Sequence, residues 1–481
     1  MRRKSVMVII LLFMAVATVF LLRSPAYEEQ INPESYRCSD CNVVIITVDA
    51  LRADHLGCYG YVRNTSPNID KLAENSVLFE QAAVQWPKTS PSMASMHTGT
   101  YGHTNGVMRG CKMRLHQDNT ILAEALKGEG YATGGFVANS NLASFYNFDQ
   151  GMDVHVFPDE SCQWGVNCSV PAELLYSHIS RFLDGVGEGK FYLWAHFIDP
   201  HAPYTPPQPY NDLFIDDEYY GYEELEFDYS EECEDNFMHR PCVRVKEGNH
   251  TNHHHYVAQY DGEIAYADHY IGLLMDKLEA DGMLDDTLVI LTADHGESLG
   301  DHDFYYEHGL LPYDACSRVP LMISHPNLPK GRSMGEVVGL IDVMPTTLDF
   351  IGAKIPEIVE GESLFPLIFT GEGHDRYVYS EAGYQENYMR SVRDSRWKLI
   401  YVPSNWDRGH TQGSIFELYD VIEDPSETEN LFYSRPLVSA RLLPRLGWFM
   451  MTEKHHMPEA EQITPDNDAM IENLKALGYM T

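Results

Sequence analysis

The chain has 481 residues and carries 71 acidic against 34 basic side chains, a formal charge of −37. A hydrophobic fraction of 44% with 12% aromatics excludes a disordered polypeptide, because such chains lack the apolar surface that offsets chain entropy. The charge argues against nucleic acid or another dense polyanion as partner, since long-range repulsion opposes the encounter, and the length predicts one large core plus a smaller unit.

At the N-terminus, Arg2, Arg3 and Lys4 precede an uncharged run from Ser5 to Leu22. At about 1.5 Å per helical residue this run crosses most of a hydrocarbon core of roughly 30 Å. Residues 1–27 are therefore expected to be a membrane anchor, with a cleaved signal peptide, whose apolar region is usually shorter, as the rival. The basic head stays cytoplasmic, which predicts a single-pass protein of the cell membrane with an extracytoplasmic catalytic domain. Nine cysteines suit that compartment. Cys38 and Cys41 form a C-x-x-C expected to be a bridge or two inert thiols rather than a metal site, and the pairs Cys162/Cys168 and Cys233/Cys242 can staple loops. Sequons begin at Asn64, Asn167 and Asn249.

Beyond the anchor, Val43–Val48 is a continuous β-branched run that ends at Asp49. YATGGFVA reaches Asn139, FYLWAHF reaches Asp199 and His201, and TLVILT reaches Asp294 and His295. Helical stretches over Ser66–Asn75, Asn119–Gly130 and Tyr260–Gly282 lie between them, so the alternation predicts an α/β fold with a parallel sheet. In such sheets sites collect beyond the carboxyl ends of the strands. Twelve acids fall between Asn211 and Asp235 without one basic residue, and read as a solvated loop. From about Arg376 short alternating segments (RYVYSE, YMRSVRD, RWKLIYV, FELYDV) predict a small antiparallel sheet, closed by an amphipathic helix over 466–477.

The segment Trp86-Pro-Lys-Thr-Ser-Pro-Ser places Pro91 in the first turn of a helix, and Thr89 where unsatisfied N–H groups and the dipole favour an anion. By itself this reads as a helix cap. With Asp49 and Asp294-His295, however, two hard carboxylates, an imidazole and a hydroxyl make a divalent-metal site in which the hydroxyl is acidified.

The stretch VDALRADHLGCYGYVRNTSPNIDKLAENSVLFEQAAVQWPKTSPSMASMHTG, with WAHFIDPHAPY, YDGEIAYADHYIGLL, LTADHGESLGDH, RVPLMI and FELYDVIEDPSETENL, resembles the sulfatase family of the alkaline phosphatase superfamily. The resemblance covers nearly all of the chain after the anchor. It implies an alkaline-phosphatase-like α/β sandwich with a central mostly parallel sheet over 36–375, a small C-terminal antiparallel subdomain over 376–481, and one divalent cation, Ca2+ or Mn2+. By the same resemblance Asp49, Thr89, Asp294 and His295 look like metal ligands, with Thr89 at the nucleophile position. His201 and His196, in H-x-x-D-P-H-x-P-Y, resemble the histidines that contact the ester and protonate the leaving group. His308, Asn105 and Lys88 look like substrate-binding residues, and Arg52 like a support for Asp49.

Four positions depart from the family pattern. Thr89 replaces the Cys or Ser that is converted to formylglycine, Met93 replaces an arginine, Ala50 stands where a second Asp is common, and Asn105 where a histidine or arginine is common. A threonine nucleophile resembles instead the phosphodiesterase, phosphonate-hydrolase-like and phospho-group transferase relatives. The expected function is an exported metal-dependent hydrolase acting through Thr89 on a sulfate or phosphate ester of a glycan, lipid headgroup or small molecule. The alternatives are a phospho-group transferase acting on lipid or glycan and a catalytically inactive sulfatase-like binding protein.

Overall fold

A computed structural model describes residues 35–108, 113–157, 170–215, 223–230, 240–243, 246–371, 376–384, 387–403 and 415–452. The expected anchor, Cys162, Cys168, Cys233, the Asn167 sequon and the closing helix over 466–477 lie outside them. Among the described residues no helix is long and apolar enough to cross a membrane.

The chain builds β1 (Asn42–Val48), β2 (Val77–Ala83), β3 (Ala132–Val137), β4 (Val154–Val156), β5 (Phe191–Phe197), β6 (Thr287–Ala293), the short β7 (Ser298–Leu299) and β8 (Tyr305–Glu307), β9 (Arg318–Ser324) and β10 (Arg332–Gly339). Eight of these form one sheet in the order β10-β2-β9-β6-β1-β5-β3-β4. All of its pairings are parallel except those of β9, which runs antiparallel to both β2 and β6. The continuous apolar runs of the sequence supply β6, β1, β5 and β3, adjacent strands at the middle of the sheet. They read as uninterrupted runs because helices cover both faces: every residue of β5 and of β6 is buried.

Register then places the site. Val48 pairs with both Phe197 and Ala293, and Val137 pairs with His196. Asp49, Asn139 and Asp294 therefore emerge at the same level of the sheet, although they are far apart in the chain. The main helices are α1 (Pro67–Ala73), α2 (Thr89–Thr98), α3 (Leu122–Gly128), α4 (Ala172–Gly185), α5 (His253–Ala280) and α6 (Val343–Ile351). Helix α2 is buried on every side, so it lacks the polar stripe that marks a surface helix.

The last segments form β11 (Val378–Tyr384), β12 (Asn387–Arg393), β13 (Trp397–Tyr401) and β14 (Phe416–Asp420), a separate antiparallel meander in chain order, followed by α7 (Pro436–Thr452). Leu442 and Leu446 of α7 pack with Val392, Leu399 and Leu418 in a core of their own. Asp314 joins this sheet to the large one, accepting from Arg393 Nη1 at 2.9 Å and Lys398 Nζ at 2.8 Å.

Cys38 and Cys41 are bridged and Cys242 is disulfide-bonded, while Cys58 and Cys316 are thiols. His325 lies 3.3 Å from Cys41 Sγ, an arrangement with the outline of a metal site, but sulfurs committed to a disulfide are not thiolate ligands.

Candidate active site

Thr89 is the first residue of α2, behind Lys88 in extended conformation. Its hydroxyl oxygen lies 3.3 Å from His295 Nε2 and within hydrogen-bonding reach of Asp294. His295 Nδ1–H donates to the Gly296 carbonyl at 2.8 Å, which fixes the tautomer and turns the bare Nε2 inward. There it meets Asp294 Oδ2 at 3.3 Å and Asp49 Oδ1 at 3.6 Å. Both oxygens are buried without a hydrogen-bond partner.

Each of the remaining carboxylate oxygens has donors. Asp294 Oδ1 accepts the backbone N–H of His295 at 2.8 Å and of Ala50 at 3.1 Å. Ala50 reaches it by adopting a left-handed backbone, φ 57°. Asp49 Oδ2 accepts Asn139 Nδ2 at 2.6 Å and His196 Nε2 at 3.2 Å. The ionised Asp49 oxygen can only accept, so the His196 proton sits on Nε2 and Nδ1 is left to accept the Thr47 hydroxyl at 2.8 Å, while Trp194 Nε1 donates to Thr47 Oγ1 at 3.0 Å. His196, for which a leaving-group role was expected, thus holds Asp49 through its Nε2 hydrogen bond and is fully buried.

Two orphaned carboxylate oxygens, an imidazole lone pair and a hydroxyl oxygen converge, with the single O–H of Thr89 as the one donor among them. That set fits a divalent cation, because buried acceptors packed this closely repel one another until a positive charge lies between them. Asp49, His196 and Asp294 also cluster within 4.8 Å. The tautomer of His196 nevertheless makes it a donor to Asp49, and the atoms that could hold the cation are Asp49 Oδ1, Asp294 Oδ2, His295 Nε2 and Thr89 Oγ1.

The electrostatics agree. Burial, and then the charge of Asp49, push the Asp294 carboxyl well above the usual range. Burial also acts upward on Asp49, but the imidazoles of His201, His196 and His295 outweigh it and hold that carboxyl low. Burial keeps His295 neutral, far below the usual imidazole value, as a metal ligand must be.

Around this centre His308 stacks on His295 with ring centroids 3.9 Å apart, and His201 meets His308 edge-on at 5.1 Å. Glu297 Oε1 lies 3.2 Å from His308 Nδ1 and orients the ring, whose value burial lowers to about 3. His201 Nδ1–H donates to the Ala202 carbonyl at 2.8 Å. Lys88 runs over Gly309, where a Cβ would lie 3.2 Å from Lys88 Cδ, and its charge is felt by His308. Asn105 is not brought to the centre: its amide donates to the Thr100 carbonyl at 3.0 Å and accepts from Val107 N–H at 2.9 Å, closing its own loop. Arg52 does not support Asp49 either. Its guanidinium is engaged by Asp54, Asp301 and the Glu297 carbonyl.

Asn139 and Glu297 are site residues that motif reading missed. Asn139 follows a predicted strand, so the strand-end rule that marks Asp49 marks it equally. Glu297 stands in Asp-His-Gly-Glu, but nothing in the sequence ties it to His308.

The sulfatase profile matches residues 41–353, well over half of the chain. The protein belongs to the sulfatase family. A profile described as N-sulphoglucosamine sulphohydrolase, C-terminal, matches residues 300–442 of this sulfatase. It is 28% identical over 450 residues to an arylsulfatase of Clostridium perfringens (strain 13 / Type A), covering 82% of this chain and 90% of that one. The fold is also that of a protein solved in complex with its substrate D-glucosamine-2-N,6-O-disulfate, at TM-score 0.70 and 20% identity, covering 88% of this chain and all 100% of the other. The phosphonate monoester hydrolase of Agrobacterium radiobacter shares it at TM-score 0.69 and 21% identity, covering 86% and 96%. The sulfatase is an ester hydrolase of the alkaline phosphatase superfamily.

Proposed function

We propose that this sulfatase is an exported, metal-dependent hydrolase in which Thr89 is the nucleophile toward phosphate or sulfate esters. The observation that carries the reading is the Thr89 hydroxyl at 3.3 Å from His295 Nε2, beside the orphaned oxygens of Asp49 and Asp294. A divalent cation, Ca2+ or Mn2+, bound by these groups supplies positive charge that screens the incoming anion and acidifies the hydroxyl. Asp49 is held for this purpose by Asn139 and His196, and His295 by Gly296. The Thr89 hydroxyl releases its proton to water as its oxygen forms a bond to phosphorus or sulfur, the bond to the leaving oxygen breaks, and that oxygen takes a proton through His201. Water then displaces the Thr89 oxygen, which leaves with a proton.

Phosphorus is the better electrophile for this route. A sulfated threonine is released only by attack at sulfur, without the elimination open to a formylglycine hydrate. Resemblance to a phosphonate monoester hydrolase supports the same preference. The Cys38–Cys41 bridge and the disulfide at Cys242 support an oxidising, extracytoplasmic setting, with residues 1–27 as the tether.

The test is turnover of aryl phosphate monoesters, diesters and sulfates by the wild type and Thr89→Ala, with intact mass of the Thr89 peptide after rapid quenching. A gain of about 80 Da that carries the phosphorus or sulfur label, and its absence in Thr89→Ala, is expected for a covalent intermediate. Full activity of Thr89→Ala refutes the assignment.

A further inference from the structure

The loop that carries His201 leaves β5 at Ile198, places Asp199 next to it, and reaches α5 at Thr205. Asp199 and Glu263 of α5 are both almost entirely buried, 8% and 4% exposed. Their carboxyl groups lie within hydrogen-bonding reach of each other, and Asp199 Oδ2 and Glu263 Oε2 find no other partner. The second oxygen of Glu263 accepts the Thr205 backbone N–H at 2.7 Å. Helix α5 is shaped to seat the chain just beyond, for a Cβ on Gly262 would lie 2.6 Å from the Tyr210 carbonyl oxygen.

Two carboxylates facing each other out of water cannot both be ionised, and a single proton between them satisfies both orphaned oxygens. Burial raises Asp199 to about 6, and burial together with Asp199 raises Glu263 well above the usual range, in keeping with one shared proton. We propose that Glu263 is a positioning residue for His201, holding both ends of the His201 loop through a proton shared with Asp199 and a hydrogen bond from Thr205. The inference rests on the leaving-group role given to His201 above.

Glutamine at 263 keeps both links, donating an amide hydrogen to Asp199 and accepting from Thr205, whereas alanine removes both. The experiment measures kcat/KM for a series of aryl phosphates, with aryl sulfates as a second series, whose leaving groups run from dinitrophenol to phenol. Wild type, His201→Ala, Glu263→Gln, Glu263→Ala and the double variant His201→Ala/Glu263→Ala are compared. A displaced general acid slows poor leaving groups most, so Glu263→Ala is expected to lose about tenfold or more on phenyl esters and little on dinitrophenyl esters, as His201→Ala does. Glu263→Gln is expected to retain the wild-type slope, and the double variant to be no slower than His201→Ala alone. Retained activity on dinitrophenyl esters shows that the variant is folded; should Glu263→Ala not fold, Glu263→Asp, one methylene shorter, serves in its place. A uniform loss across the series, a Glu263→Gln slope equal to that of Glu263→Ala, or additive losses in the double variant overturn the proposal. An unchanged slope in His201→Ala is a different failure: it removes the leaving-group role itself, and the positioning role with it.

Discussion

Replacing Asp294 with asparagine separates the two states of the metal centre. Without a cation, Asp49 and Asp294 present acceptor atoms within 4.8 Å of each other in a fully buried site. At an effective dielectric constant of about 20, two unit charges at that distance repel by roughly 3.5 kcal/mol. In Asp294→Asn the amide oxygen still accepts the N–H groups of Ala50 and His295, and the amide nitrogen donates to the oxygens that the carboxylate repels. Metal-free Asp294→Asn is therefore expected to melt a few degrees above metal-free wild type. Its stability should also lack one pH limb. Burial and Asp49 raise the folded-state Asp294 value above that of the unfolded chain, so the metal-free wild type loses stability as pH rises from the ordinary carboxyl range through the raised value. With cation at a thousandfold excess over Kd, the wild type gains about 4 kcal/mol and the order reverses, because the variant has lost a ligand. Differential scanning calorimetry in EDTA and then in Ca2+ or Mn2+ reads both effects. A metal-free variant less stable than metal-free wild type, or equal metal-induced shifts in the two proteins, would refute the electrostatic account.

Asn139→Ala removes the 2.6 Å donor to Asp49 Oδ2; the loss of a charge-assisted bond of about 1.5–3 kcal/mol should lower kcat roughly 10- to 100-fold and weaken metal binding, checked by steady-state kinetics and metal titration. His97 has neither ring nitrogen hydrogen-bonded, and burial, then His196 and His155, lower it to about 3. Its stabilising neutral form is complete above the unfolded value near 6.5 and is lost as pH falls toward 3, so His97→Met should gain about 2 kcal/mol over wild type at pH 5 in urea titrations, and less at pH 7.5. Lys398, 1% exposed between Asp314 at 2.8 Å and Glu427 at 3.0 Å, ties the small sheet to the large one; Lys398→Met should cost about 3–5 kcal/mol, read as a lower denaturant midpoint.

The core of the site was legible because α/β topology brings strand ends together whatever their distance in sequence. Asp49 and Asp294 each follow a continuous apolar run, and Thr89 sits beside a helix-starting proline, all of which are local signals. Antiparallel β9 and the two strands beyond it at that edge, β2 and β10, were harder to read: Pro320 interrupts one, and polar residues such as Gln81 and Glu336 interrupt the others. Side-chain direction was not legible at all. His196 and His201 look equivalent in H-x-x-D-P-H, yet one ends inside β5 and points at Asp49, and the other lies on the loop beyond it.

By itself, then, the order of residues determined which strand ends bear the carboxylates and the imidazole of the candidate site, the antiparallel C-terminal meander, and the family to which the chain belongs, because these follow from periodicity and contiguous motifs. Tertiary structure alone decided that Asp49 sets the tautomer of His196, that Arg52 turns to Asp54 and Asp301, that Asn105 closes its own loop, and that Glu263 reaches the His201 loop. Each of those outcomes depends on which unsatisfied donor or acceptor lies nearest after packing, and residues distant in the chain provide it.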